Sequence, residues 1–140
     1  MSWVLSTKTC FITTLNIKIH SFVFQGYQVK TSQGYCKHSD GKHLSRCYKT
    51  HTNLCMTLKD ACEEACESSN SCVGYHIGDN RCSLFPSSLS FTTCPTGYTL
   101  EETKWNGINH VPSSMAETSE DLVGNYISYA TGYACYAKVR

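Results

Sequence analysis

Ten cysteines stand at positions 10, 36, 47, 55, 62, 66, 72, 82, 94 and 135 of a 140-residue chain, and whether they are bridged, metal-bound or free decides what the chain can fold into. In a reducing compartment such a set serves metal or redox chemistry, whereas in a small extracellular domain it is bridged. Structural zinc sites use ligands paired two to four residues apart, often as CxxC. The sequence has no CxxC, its one close pair is Cys62 and Cys66 in CxxxC spacing, and the six histidines at 20, 38, 43, 51, 76 and 110 include no HxxxH. A metal site is therefore not expected. Bridged cysteines and a secreted, extracellular location are.

Composition narrows the class further. Charged residues are only 16% of the chain and the formal net charge is +1, while Ser and Thr together number 32, 17 plus 15. Such a surface offers no basic field for nucleic acid and no acidic tail. No apolar run approaches the roughly 18 residues that span a bilayer, so no membrane span is expected. The length suits one core, read here as a single domain over 26–140. Residues 1–25 make a poor export signal, because the apolar run over 11–24 is cut by Lys18 and His20 and lacks a small-residue cleavage site. A gene-model artefact is the other reading, since Ser21-Phe22-Val23-Phe24-Gln25 is what a pyrimidine-rich intron end closing in CAG encodes.

Ser39-Asp40-Gly41-Lys42 signals a turn, and 44–49 reads as a strand. Thr57 with Asp60 three residues on marks a helix start. From there Leu58, Ala61, Cys62, Ala65 and Cys66 share one face of a helix over 57–69, and Lys59, Glu63, Glu64 and Glu67 take the solvated face. After Asn70 the period becomes alternating, so 72–77 and 81–85 read as two strands joined by a turn at Gly78-Asp79-Asn80. A polar loop over 87–93, a turn at Cys94-Pro95-Thr96-Gly97-Tyr98, an unpatterned stretch over 101–124 and a final strand over 133–139 complete the chain.

The segment ACEEACESSNSCVGYHIGDNRCSLFP, residues 61–86, sets two inward helix cysteines against a hairpin with one cysteine per strand. It resembles the helix-to-hairpin core of the PAN/apple domain family. The resemblance implies an α+β fold, an antiparallel sheet cradling one α-helix and stapled by disulfides. It implies Cys62 bonded to Cys82 and Cys66 bonded to Cys72, and by position Cys36 with Cys135, the bridge that joins the ends of apple-type domains. Cys47, Cys55 and Cys94 remain, with one further bridge expected from Cys55 or Cys47 to Cys94. One cysteine is then odd unless Cys10 pairs with it.

What the resemblance implies functionally is recognition of proteins or carbohydrates without catalysis, as in adhesion proteins, microneme-type lectins and protease heavy chains. A cysteine nucleophile needs a free thiol in an electropositive pocket, which bridging removes, and no cofactor is called for. Tyr and Trp anchor interfaces and stack on sugar faces, so Trp105, Tyr98 and Tyr126, with Arg81 at the hairpin tip, are the candidate ligand-binding residues. Tyr129, Tyr136 and His76 are expected to pack. The near-neutral overall charge speaks against heparin, whereas the loop aromatics with Asn and Thr suit a neutral glycan or a protein partner, and the module could associate with further modules or chains. Two alternatives belong to other classes: a matrix or coat protein cross-linked through an odd cysteine, and, more remotely, a cysteine-based redox or hydrolytic enzyme.

Overall fold

The computed structural model describes residues 26–52 and 55–139; the segment 1–25, with Cys10 and both readings of it, lies outside them. The helix starts where the capping pattern places it: the Thr57 hydroxyl accepts a hydrogen bond from the backbone N–H of Asp60, and α1 runs Leu58–Ser68. Ala61, Cys62 and Cys66 face inward as the 3.6-residue period requires. Glu63 departs from the expected solvated face and is only 3% exposed. Its carboxylate accepts from the Tyr75 hydroxyl at 2.6 Å and from Lys59 Nζ at 2.7 Å, and these partners make its burial tolerable. A helix lying flat on a sheet covers more than the stripe that periodicity marks.

After α1 the chain forms the hairpin of β4 (Cys72–Gly78) and β5 (Arg81–Pro86). Its two turn residues, Asp79 and Asn80, have φ of 53° and 60°, the left-handed pair that matches the twist of the flanking strands and that Asp and Asn adopt most readily among non-glycine residues. A six-stranded antiparallel sheet is ordered β1-β10-β4-β5-β3-β6, with β1 Tyr27–Thr31, β3 Arg46–Thr50, β6 Thr99–Glu101 and β10 Ala134–Lys138. β10 inserts between β4 and the edge strand β1, so it is paired on both sides. The architecture is α+β, mostly antiparallel sheet, with a single α-helix among the described residues.

Both faces of the sheet are covered. On one, Cys62, Cys66, Cys82, Cys47, Tyr75 and Leu84 form a core under α1. On the other, Leu44, Phe85, Ala116, Leu122 and Cys36 pack beneath a second, two-stranded sheet of β2 (Gly34–His38) and β9 (Leu122–Tyr126). A Cβ at Gly74 would strike the Leu122 side chain and the β10 backbone, and one at Gly78 would strike the Tyr133 ring. The layers close here because β4 carries no side chain at these two points.

Four cysteine pairs staple this frame: Cys36 with Cys135, Cys47 with Cys94, Cys62 with Cys82 and Cys66 with Cys72, at Cα separations of 5.1, 5.6, 5.6 and 5.2 Å. Cys47 takes Cys94, which resolves the open alternative, and Cys55 is also disulfide-bonded. No described cysteine is free. The stretch expected to lack structure holds β7 (Thr103–Trp105) and β8 (His110–Pro112), a 3-10 turn at Ser119–Asp121, and β9. Three-residue strands are too short to display a period of two, and β9 is ordered by pairing with β2 across a long sequence separation.

Candidate functional site

On the sheet face away from α1, beside the β4–β5 turn, lies a cleft of about 630 Å³. Alternation along the strands builds its floor. Cys47, Cys82 and Tyr75 belong to the helix-side core, so their neighbours Arg46, Arg81 and His76 are presented to the opposite face. Arg46 is 7% exposed and His76 5%. Tyr35 of β2 and Tyr133 ahead of β10 line the wall, and Lys37, also of β2, is joined there by Lys42 and Lys104 from two further segments.

The arginines and aromatic groups of the lining are held by definite contacts. Arg46 donates from Nε to the Leu44 carbonyl at 3.2 Å, lies 3.7 Å from Glu101 Oε1, and stacks 5.6 Å above the Phe85 ring. Arg81 lies 4.6 Å over the Tyr48 ring, a cation–π contact that restrains an exposed guanidinium. Tyr35 meets Tyr133 edge-to-face at 4.9 Å and His76 at 5.9 Å. The Tyr133 hydroxyl donates to Asp79 Oδ2, and that carboxylate pushes the phenol up to about 12.

The electrostatics are one-sided. Burial holds His76 well below its ordinary value, and Arg46, Lys104 and Arg81 press in the same direction. His43 is lowered by burial and then by Lys104, Arg46 and Lys37. Both imidazoles are therefore neutral at pH 7, and the positive potential comes from lysine and arginine. Asp79 is bound to Tyr133 and Glu101 lies against Arg46, so these carboxylates leave most of the cationic charge uncompensated. His76 Nδ1 and Ser83 Oγ, which face each other in the β4–β5 register, are buried without a hydrogen-bond partner. Chemically, the cleft offers fixed cations, aromatic edges and neutral hydrogen-bonding groups, a combination suited to an anion with an attached ring.

Of the four residues singled out for ligand contact, the structure brings only Arg81 to this cleft. Tyr98 packs on the helix-side core, 3.3 Å from His51 Nε2 and beneath Lys49, and burial raises its phenol to about 12. Trp105, 54% exposed, stands in the β7–β8 hairpin against His110, while Tyr126 is exposed on β9. The immediate chain neighbours of those two, Lys104 and Asn125, line the cleft instead. Tyr129 does not pack and is 83% exposed, whereas Tyr136 stacks on Tyr75 at 4.9 Å and His76 packs against Phe85. Tyr35, Arg46 and Tyr133 carried no local signal, since their convergence depends on three separate segments of the chain.

Comparisons with models of known families, with curated proteins and with solved structures found no match. Among the described residues, no helix is long and apolar enough to cross a membrane and no group of three His, Cys, Asp or Glu could hold a metal ion. Several disulfides are consistent with an extracellular location.

Proposed function

We propose that the chain is an extracellular binding module of the PAN/apple type, which recognises a protein or carbohydrate ligand and performs no catalysis on it. The observation that carries this reading is the cleft of about 630 Å³, whose arginine and tyrosine side chains are held by contacts on a twice-covered, disulfide-stapled sheet. Pre-ordered side chains lose little entropy on binding, the condition for recognition by a rigid scaffold. The helix and hairpin with Cys62 joined to Cys82 and Cys66 joined to Cys72 support the resemblance. The matrix or coat alternative needs an odd thiol, and no described cysteine supplies one.

The test is an array of glycans and extracellular protein ectodomains probed with the oxidised chain. Saturable binding that disappears on disulfide reduction is the expected result. Binding to nothing on either array, together with turnover of a thiol or ester substrate, would replace this reading with the enzyme alternative.

A further inference from the structure

We infer that the cleft takes one acidic sugar, a pyranose carrying a carboxylate or a sulfate ester, with its charge set against Arg46, Arg81 and Lys104 and its ring against Tyr35 and Tyr133. The inference rests on the binding-module reading and gives it a ligand class. It also reverses an expectation from composition. A net charge of +1 speaks for a neutral ligand only if the charges are mixed over the surface. Here they are sorted: cations gather at the cleft, while Glu67, Glu117 and Glu120 line a different groove.

Three observations point to an anion. Arg46 is 7% exposed, yet the carboxylate nearest its Nε, that of Glu101, is 3.7 Å away and itself only partly buried. A guanidinium taken this far out of water is ordinarily matched by close, well-formed partners. Arg81 and Lys104 then add like charge around the same floor, a repulsion that a bound anion relieves. Finally, His76, which lines the cleft, has its Nδ1 buried without a partner, as has Oγ of Ser83 opposite it in the β4–β5 register. Buried polar atoms are almost always satisfied, and an exception is accounted for by strain, a chemical role, or a water or ion bound there.

The shape selects the size. About 630 Å³ falls inside the roughly 300–1,000 Å³ of small-molecule sites, room enough for a sugar ring with its charged substituent. An extended polyanion is met by cations in an open row, whereas these surround a concavity. The planar fork of a guanidinium matches two oxygens of a carboxylate or of a tetrahedral sulfate ester, and the cleft holds two such groups. The tyrosine pair supplies an apolar wall for the C–H face of a pyranose.

The oxidised full chain is titrated, with amide and ring resonances followed by NMR, against methyl glucuronide, galactose 6-sulfate and methyl galactoside. At least one acidic probe is expected to shift Tyr35, His76, Arg81 and Tyr133 and to bind about tenfold or more tighter than the neutral sugar. Which acidic probe binds identifies the group. Arg81→Gln and Lys104→Gln, both exposed positions, should each weaken it several-fold with an unchanged melting temperature, while Lys49→Gln, outside the cleft, should leave it unaltered. Equal binding of the neutral probe would overturn the acidic class and leave the module reading intact. Acidic binding indifferent to both cleft variants would overturn the site, and binding of long sulfated chains without either monosaccharide would overturn the single-unit claim. If no saccharide binds, the inference falls, and the protein array decides the module reading separately.

Discussion

Glu63 shows what a single residue contributes here. Its carboxylate is closed off between the Tyr75 hydroxyl and Lys59 Nζ, and the same contact, together with burial, drives the Tyr75 phenol far above its ordinary value. Tyr75→Phe leaves a buried carboxylate short of a donor, so urea unfolding should show a loss of about 1–3 kcal/mol. His76 sets the acid limit. Its folded pKa lies below its unfolded one because of burial and neighbouring cations, so the unfolded chain binds more protons as the solution is acidified. Stability is therefore complete above about pH 6.5 and falls below it, with a slope of up to about 1.4 kcal/mol per pH unit from this one group. Melting temperatures recorded between pH 7.5 and 5 should show that fall, and His76→Gln should flatten it.

At the scale of elements, α1 and the β4–β5 hairpin are set by local chemistry and held by contact. The Thr57 hydroxyl caps α1, and Thr57→Ala should cost about 1 kcal/mol in thermal or urea unfolding without disturbing the cleft. Gly78 acts through the opposite layer, because the Tyr133 ring occupies the space a Cβ would need. Gly78→Ala should destabilise the domain by about 1–3 kcal/mol through overpacking. It should also erase the ring-to-ring NMR contacts between Tyr35 and Tyr133. The contrast between these two variants separates an element that only forms from one that also positions the cleft wall.

For the molecule as a whole, bridge position governs stability more than bridge number. Cys36 and Cys135 are 99 residues apart and join the second layer to β10, whereas Cys66 and Cys72 are 6 apart. On the chain-entropy account, removing the first pair by a double Ser substitution should cost on the order of 4–5 kcal/mol and the second on the order of 2. Urea midpoints of the two double variants, measured beside the oxidised parent, check the order. Charge is likewise a property of the assembled molecule: near-neutral in sum, it is cationic around the cleft and acidic around the groove beside Glu117 and Glu120. Its local fields follow from which segments the sheet brings together.

The short-range features were legible in the residues: the Thr57 cap, the helix with two inward cysteines, the Asp79-Asn80 turn and the final strand. Each depends on neighbours within a few positions, where propensity and periodicity act directly. The placement of β10 between β1 and β4, the pairing of β2 with β9, the burial of Glu63 and the choice of Cys47 over Cys55 as partner of Cys94 belong to the tertiary structure. So does the cleft, whose Tyr35, Arg46, His76, Arg81, Lys104 and Tyr133 come from segments that pattern alone cannot align. Long-range pairing is decided by which surfaces bury together, and that competition has no local signature in the chain.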